Sequence, residues 1–409
     1  MAHTYIEHSD WNCLPSEPLV SIAMATYNHE RYLQDAIEGI VRQCTDFPIE
    51  LIIGDDCSTD RTGEIARAYQ RAYPGIIRVL SGERNVGMHE NGARIISVAR
   101  GRYLAFCEGD DFWHRPDKLS VQVQLLESDP AISLVCSSWR IISEKGVILV
   151  PDVLGLDKSS MQWFGLDDIL AERVKTVTVC TKTELVRQGL KKSPLCRLGR
   201  YPFGDAPMWV EASHQGRCVC LPQEYGTYRL SSNSATRPRD IMDVYRFIAG
   251  ACEFDRDVLE IYRLPQGEQA ATEVRILATR KRLHALALLG EAGRVREELR
   301  WLYRLGARPH FREHLLYVGS ILSQPGTLGA SSRGWLLRAW HALPGHRRSL
   351  WSPPKPKGRP QRAECDRAML IKNAVQGNLQ ECTSSNRPGQ VCEWSASAVL
   401  RDPHVQIDK

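Results

Sequence analysis

The sequence predicts an α/β fold with a mostly parallel central sheet flanked by helices, followed by a helical C-terminal extension. Over residues 20–137, short apolar runs alternate with longer segments whose apolar residues recur at helical spacing. Strands and helices that alternate in this way form right-handed βαβ units. Polar loops rich in carboxylates follow several of the apolar runs, as expected where a parallel sheet binds a ligand.

The first strand–helix pair sets the pattern for three further pairs and a last strand. Val20–Ala25 is mostly apolar and predicts a buried strand, whereas Glu30–Cys44 carries its apolar residues on one helical face. Pro74 and Gly75 end the second helix. The same criteria predict strands at Glu50–Gly54, Ile76–Leu80, Tyr103–Cys107 and Ala131–Ser137, and helices at Asp60–Tyr73, Glu90–Ala99 and Pro116–Ser128.

After residue 138 the regular alternation ends. Later elements are expected as a hairpin over Trp139–Val150, a strand over Lys175–Thr181, a helix from Asp205, and short strands at Cys218–Leu221 and Gly226–Leu230. We therefore divide the chain into an α/β domain at 1–240 and a helical extension at 241–345. Proline, glycine, serine and charged residues dominate 346–409, which predicts a disordered tail.

Composition excludes several classes of function. The chain has 409 residues, of which 43% are hydrophobic and 25% charged, and its net charge is only +5. No basic run is long enough to predict nucleic acid as a partner. The 13 cysteines lack zinc-site spacing, so we expect a reduced, cytoplasmic protein. We expect neither a signal peptide nor a membrane span, since no apolar run is long enough.

Glu108, Asp110 and Asp111 follow the apolar run Tyr103–Cys107 directly. Adjacent carboxylates repel one another unless a cation compensates them, and Mg²⁺ or Mn²⁺ prefers carboxylate and phosphate oxygens. The alternative is a set of solvated or helix-capping acids. The aromatic pair that follows them, Phe112 and Trp113, disfavours simple exposure.

Asp55 and Asp56 follow a second apolar run. A carboxylate at the end of a strand can accept a hydrogen bond from a ribose hydroxyl or a base N–H. The alternative is a loop that only caps the next helix, for which Asp60 is an ordinary N-cap residue.

Five segments together resemble a known family. They are PLVSIAMATYNHERYLQDAI, ELIIGDDCSTDRT, NVGMHEN, YLAFCEGDDFWHRPDKL and YPFGDAPMWVEASHQGRCVCLPQEYGTYRLSSNS. In this order they resemble the family 2 glycosyltransferases of the GT-A fold, over residues 18–235. The version here is most similar to bacterial enzymes that build cell-surface polysaccharides.

The resemblance implies a role for several of these residues. Thr26, Tyr27 and Asn28 would line the nucleotide pocket, and Asp56 would contact the uracil or ribose. In the acidic loop, Asp111 would be the direct ligand of a bound Mn²⁺ or Mg²⁺. Asp110 would contact ribose or sugar, and Glu108 is a second candidate metal ligand.

Two further residues match the acceptor half of the family pattern. Asp205 corresponds to the catalytic base of inverting members, although an Asp followed by Ala-Pro also suits a helix N-cap. Arg229 would approach the diphosphate or the acceptor. The chain departs from the pattern at Gly204, where many relatives carry Glu, and at Leu230, where relatives often carry His.

The resemblance implies an inverting, metal-dependent transfer of sugar from a nucleoside-diphosphate donor, most commonly UDP-linked, to a saccharide or lipid-linked acceptor. The alternatives are a catalytically inactive sugar-nucleotide-binding or scaffold protein and, with less support, a nucleotidyltransferase. The latter would need a glycine-rich loop that residues 24–27 do not provide. Residues 300–343 interleave Arg and His with Trp, Tyr and Leu, which suits either peripheral contact with the inner face of the membrane or a packed helical cap.

Overall fold

The computed structural model describes residues 5–170, 172–231, 241–262 and 291–304, with residues 276, 279–280, 282–283, 286–287, 289 and 306–308. The chain divides into two compact units. Residues 5–192 and 208–230 form the first unit. Residues 193–207 and the described part of 231–308 form the second.

A single sheet organises the first unit. Its strands are β1 Tyr5–His8, β2 Val20–Thr26, β3 Ile49–Asp55, β4 Ile77–Gly82, β5 Tyr103–Phe106, β6 Phe112–Trp113, β7 Ile132–Ser143, β8 Ile148–Val150, β9 Gln162–Phe164, β10 Cys180–Lys182 and β11 Arg217–Leu230. Their order in the sheet is β1-β4-β3-β2-β5-β10-β7-β11-β6, with β8 paired to β7 and β9 to β11.

Helices connect the strands along the chain. They are α1 Leu33–Val41, α2 Thr62–Ala72, α3 Met88–Val98, α4 Lys118–Ser128, α5 Leu166–Leu170, α6 Thr183–Lys192 and α7 Asp205–Gln215. Helices α8 Ile241–Ile261 and α9 Ala292–Arg304 belong to the second unit. Among the described residues, no helix is both long and apolar enough to cross a bilayer.

The centre of the sheet is the parallel part. Strand β2 pairs in parallel with β3 and β5, and β3 pairs in parallel with β4. Every residue of β3 is buried, and so are six of the seven in β2. Strands covered on both faces are apolar along most of their length rather than at alternate positions, which is why the sequence pattern located them. Their carboxyl ends lie at one edge, where the acidic loops emerge.

The outer part of the sheet differs from the prediction. The sheet is mixed rather than mostly parallel, because β1, β6, β8, β9 and β10 all pair antiparallel. Beyond β5, short antiparallel strands flank the parallel pair β7–β11. The α/β class is confirmed. The antiparallel part of the sheet is built from short strands, and the repeated strand–helix spacing in the sequence does not predict them.

Three predicted strands are also revised. The predicted strand Lys175–Thr181 is a 3₁₀ turn at Thr176–Thr178 followed by β10. The carbonyl oxygen of Val177 accepts a hydrogen bond of 2.8 Å from the Trp113 indole, so a side chain replaces a strand partner there. The two predicted strands between 218 and 230 form one strand, β11, whose register shifts after Leu221.

The second unit has its own core. Tyr201 packs edge-on against Phe254, with ring centroids 5.1 Å apart, and its hydroxyl donates to Asp257 at 2.8 Å. Residues 193–207 therefore belong to the second unit, and the domain boundary at 240 stays a prediction. The predicted tail at 346–409 and all of 300–343 beyond residue 308 lie outside the described residues.

Candidate functional site

The acidic loop after β5 is held against the end of β2. The backbone N–H groups of Cys107 and Gly109 donate to the carbonyl oxygens of Ala23 and Ala25, each at 3.1 Å. These bonds continue the β2–β5 pairing beyond Phe106. Glu108–Asp111 therefore emerge at the carboxyl edge of the parallel strands, where an open α/β sheet binds its ligands.

Asp111 is the most strongly constrained acid in this loop. It is only 1% exposed, and its Oδ1 accepts a 2.9 Å hydrogen bond from the backbone N–H of Arg229. Its Oδ2 is buried and has no hydrogen-bond partner among the described residues. Burial, with repulsion from Asp110 and Glu108, raises the pKa of Asp111 well above its usual range. A buried, unpaired carboxylate oxygen beside two other acids is a strong site for a cation.

The donor set fits a metal that a substrate helps to hold. Among the described residues, no group of three His, Cys, Asp or Glu side chains could by itself bind a metal ion. Mg²⁺ and Mn²⁺ are commonly held by one or two carboxylates, the remaining positions being filled by substrate phosphates and water. The unpaired oxygen of Asp111, with Asp110 beside it, matches that arrangement. Glu108 stays a candidate ligand.

Arg229 braces the acidic loop. Its backbone holds Asp111, while its side chain donates to the carbonyl oxygen of Asp110 at 3.1 Å and to Asp35 at 2.8 Å. The guanidinium lies 4.7 Å from the ring centroid of Tyr32 and 5.6 Å from that of Phe112. The structure thus shows a positioning role for Arg229. Its contact with donor or acceptor stays a prediction.

The loops after β2 and β3 interlock. Asn28 adopts a left-handed backbone conformation with φ of 56°, which asparagine tolerates better than most residues. Its N–H donates to Ser58 Oγ at 2.9 Å, and its Oδ1 accepts from the N–H of Thr59 at 2.8 Å. Tyr27, between Thr26 and this anchor, keeps 42% of its surface exposed. An exposed aromatic ring on a fixed loop can stack on a base or sugar.

Asp56 fixes a third loop. It is 3% exposed, and its two carboxylate oxygens accept hydrogen bonds from the N–H groups of Val86 and Gly87, at 2.9 and 2.8 Å. Its own N–H donates to the carbonyl oxygen of Thr26 at 3.0 Å. The residue therefore ties the loops after β2, β3 and β4 together. Each oxygen retains acceptor capacity, so the predicted contact with uracil or ribose is compatible with this role.

Thr26, His29 and Gly109 make a close contact that sequence reasoning missed. A Cβ atom at Gly109 would lie 2.6 Å from Thr26 Oγ1 and 2.8 Å from His29 Nδ1. Both atoms are buried and make no hydrogen bond among the described residues. His29 Nε2 is 4.0 Å from a carboxylate oxygen of Asp110. Only glycine fits between these polar groups, which is the physical reason for the spacer before the two aspartates.

Lys175 is a second residue that the sequence did not single out. Its ammonium lies 4.0 Å from the ring centroid of Tyr228, next to Arg229 in β11. Its positive charge partly offsets the rise in the pKa of Asp111. The residue precedes the 3₁₀ turn that was predicted as a strand, so no motif pointed to it.

Asp205 begins α7. Its Oδ1 accepts a 2.9 Å hydrogen bond from the N–H of the next residue, Ala206, so the side chain satisfies a donor in the first turn of the helix. Further along α7, Trp209 packs edge-on against Phe106 at the end of β5, with ring centroids 5.1 Å apart. A catalytic role for Asp205 stays a prediction.

Comparisons with known proteins agree with the resemblance. Residues 21–178 match the model of glycosyl transferase family 2. An uncharacterized protein of Mycobacterium tuberculosis is 43% identical over 127 residues, which are 31% of this chain and 37% of that protein. The putative teichuronic acid biosynthesis glycosyltransferase TuaG of Bacillus subtilis is 36% identical over 134 residues, 32% of this chain and 51% of TuaG.

Other relatives extend the comparison. The dTDP-rhamnosyl transferase RfbG of Shigella flexneri is 35% identical over 107 residues, covering 25% of this chain and 36% of RfbG. The crystal structure of Staphylococcus aureus TarS 1–349 with UDP-GlcNAc superposes with a TM-score of 0.48 at 16% identity, over 70% of this chain and 92% of TarS 1–349. The chain spans about half or less of each of the three relatives matched by sequence.

The matched segment, residues 21–178, contains Thr26, Asp56, Asp110 and Asp111 and the strands that carry them. Its mixed sheet flanked by helices has the architecture expected of a GT-A glycosyltransferase. This chain therefore carries, over residues 21–178, a domain of glycosyl transferase family 2.

Proposed function

We propose that the protein is an inverting, metal-dependent glycosyltransferase. It would move a sugar from a nucleoside-diphosphate donor, with UDP as the first carrier to test, to a hydroxyl of a saccharide or lipid-linked acceptor in surface polysaccharide synthesis. The observation that carries the proposal is the unpaired, buried Oδ2 of Asp111 at the carboxyl edge of a family 2 domain. That atom needs a cation, and a sugar diphosphate supplies the remaining ligands.

The three interlocked loops would form the nucleotide pocket. Asp56 holds the loops together and keeps acceptor capacity for a base or ribose. Tyr27 offers an exposed ring beside it, and Asn28 fixes the backbone there. Asp110 would accept a hydrogen bond from the ribose or the sugar. These residues would orient the donor so that its diphosphate meets the acidic loop.

The chain's own groups suggest how transfer would proceed. Asp111, with Asp110 or Glu108, would hold Mn²⁺ or Mg²⁺, which when bound neutralises the negative charge of the departing nucleoside diphosphate. Lys175 would add a second positive charge near that group. Asp205 would accept the proton of the acceptor hydroxyl as it attacks the anomeric carbon from the opposite face. That direction of attack inverts the configuration.

The named relatives support the pathway class and leave the donor open. TuaG is named for teichuronic acid biosynthesis, and RfbG is named as a dTDP-rhamnosyl transferase. The first name connects a related domain with teichuronic acid biosynthesis, and the second connects one with sugar transfer from a dTDP-linked donor. Their donors are not necessarily shared, so uridine, thymidine and guanosine diphosphates are all tested. A cytoplasmic location at the inner face of the membrane is part of the proposal. It is supported by the free thiols of the described cysteines.

The first experiment measures thermal stability with each nucleoside diphosphate, with and without Mn²⁺. A ligand that binds only the native state raises its stability. We expect one diphosphate to raise the melting temperature only when Mn²⁺ is present, and EDTA to reverse the effect. Failure of all three with either Mn²⁺ or Mg²⁺ would contradict the proposal.

The second experiment separates catalysis from binding. Asp205→Asn should bind donor normally but lose at least about a hundredfold in nucleoside-diphosphate release, the usual range for a general base. Asp46→Asn, at an exposed loop position, is the matched control and should leave release unchanged. Donor binding without release in the wild-type protein would instead support a sugar-nucleotide-binding protein.

A further inference from the structure

The hairpin of β7 and β8 carries a continuous exposed apolar segment. Val147, Ile148, Leu149 and Val150 are 60%, 52%, 51% and 37% exposed. We call residues 147–150 the apolar ribbon. The other large apolar side chains that are exposed among the described residues stand at separate positions: Ile6, Trp11, Tyr27, Met88, Leu198, Ile261 and Tyr303. Single exposed apolar residues are ordinary, whereas a contiguous group marks a contact surface.

Both faces of the apolar ribbon are exposed. Successive side chains of a strand point to opposite faces, so Ile148 and Val150 lie on one face and Leu149 on the other. Among the described residues, β8 pairs with β7 alone, and its outer edge is open. A protein groove would cover one face of such a ribbon, whereas a fluid apolar phase contacts both.

A second copy of the chain is a poorer occupant. Pairing between two open β8 edges would involve a strand of three residues on each side. A stable interface buries about 800 Å² on each partner, and such a short strand supplies a small part of that area. Edge pairing would also leave the two apolar faces in water.

The surrounding charges suit a lipid surface. Lys145 is exposed at the turn, and the segment 145–151 contains no acidic residue. The two acids that flank this segment are both paired. Glu144 accepts a hydrogen bond from the Tyr32 hydroxyl at 2.9 Å and lies 3.5 Å from Arg31. Asp152 accepts a hydrogen bond from the Lys158 ammonium at 2.7 Å. The open backbone edge of β8 needs water or headgroup partners, which limits insertion to the interfacial layer.

The apolar ribbon is also connected to the candidate site. In the pairing of β7 with β11, Ile142 aligns with Arg229. The hairpin turn that leads to the apolar ribbon begins directly after this end of β7. At its base, Glu144 binds the hydroxyl of Tyr32, whose ring lies 4.7 Å from the Arg229 guanidinium. We propose that the apolar ribbon inserts into the interfacial layer of a lipid bilayer and orients the acidic loop towards an acceptor carried on lipid. Only the second part rests on the proposed function.

The test is co-sedimentation of the full chain with vesicles of phosphatidylcholine, alone or mixed with phosphatidylglycerol. The double variant I148D/L149D should lower the vesicle partition coefficient at least about tenfold, since it replaces two apolar contacts with charges. Ile6→Asp removes an equally exposed aliphatic side chain on β1, at 56%, and should have little effect. Tyr303→Asp tests the alternative contact through 300–343.

Two measurements keep the result interpretable. The melting temperature and the Mn²⁺-dependent response to nucleoside diphosphate should be unchanged in the double variant, because neither residue belongs to the candidate site. Wild-type protein that does not bind vesicles, or a double variant that binds equally well, would overturn the proposal. The proposal would also be overturned if light scattering showed that the double variant changes from dimer to monomer while its vesicle binding stays the same. Vesicle binding without glycosyl transfer would leave this inference standing while the proposed function fails.

Discussion

Replacing Asp111 by asparagine should stabilise the metal-free protein while it abolishes metal-dependent binding of nucleoside diphosphate. The carboxylate is 1% exposed, one of its oxygens has no partner among the described residues, and two acids stand beside it. Asparagine keeps the size and the Oδ1 that accepts from the N–H of Arg229. What it removes is the buried negative charge.

Two opposing effects set the magnitude. An uncompensated buried charge destabilises a protein by about 3–5 kcal/mol. The new amide group leaves its own N–H donors unpaired, which costs about 1–3 kcal/mol. The net gain is about 2 kcal/mol, which for a unit of this size raises the melting temperature by roughly 4–8 °C.

The stability of the metal-free protein should depend on pH with a definite sign. The folded-state pKa of Asp111 is raised above its ordinary value of 3.8. In the pH window between 3.8 and the raised pKa, the folded protein therefore binds a proton that the unfolded chain does not bind. The wild-type protein therefore loses stability as the pH rises through the window, and Asp111→Asn does not. The advantage of the variant should shrink as the pH falls towards 3.8.

The assay is thermal unfolding in EDTA across this pH range, repeated with Mn²⁺ and the nucleoside diphosphate that binds. Asp110→Asn is the matched control, since its side chain is 18% exposed and gains less from losing its charge. The reasoning is refuted if Asp111→Asn lowers the melting temperature in EDTA, or if its gain is the same at every pH. Retention of the Mn²⁺-dependent response would show that Asp111 is not the ligand.

Three further predictions concern other parts of the first unit. Gly109→Ala forces a Cβ atom against Thr26 Oγ1, so it should destabilise the protein by about 1–3 kcal/mol and abolish donor binding. Gly92→Ala is the control, since open space surrounds that position, and it should be neutral or slightly stabilising. Urea unfolding measures both changes in stability. Asp56→Asn replaces an acceptor of two backbone N–H bonds and should cost about 1–3 kcal/mol while weakening nucleotide affinity, as measured by calorimetry. His114 has its pKa lowered from 6.5 to about 4, chiefly by burial, so stability should fall as the pH drops from 6.5 towards 4. After allowance for its partial exposure the loss is about 2 kcal/mol, and it should be absent in His114→Gln.

Each of these predictions has a clear contrary result. Equal effects of the two glycine variants would show that the contact at Gly109 is not limiting. Unchanged stability in Asp56→Asn would mean that the loop after β4 is held by other bonds. A wild-type protein and a His114→Gln variant with parallel acid profiles would show that this histidine is protonated in the folded state.

Local sequence determined the parallel centre of the fold and the position of its loops. The strands that begin at Val20, Ile49 and Tyr103 are covered on both faces, so they are apolar at most positions, and that pattern is visible in the sequence alone. The acids of the two loops follow these strands directly. Their place at one edge of the sheet then follows from βαβ geometry.

Tertiary structure alone decided which groups surround Asp111. The N–H that binds its Oδ1 belongs to Arg229, which is 118 residues away in sequence, and the offsetting charge comes from Lys175. No local pattern encodes contacts at such separations. The same reason explains the revised strands, since the carbonyl of Val177 is used by the indole of Trp113 rather than by a neighbouring strand. Sequence thus specified the carboxylates, whereas packing determined which oxygen is left for a cation.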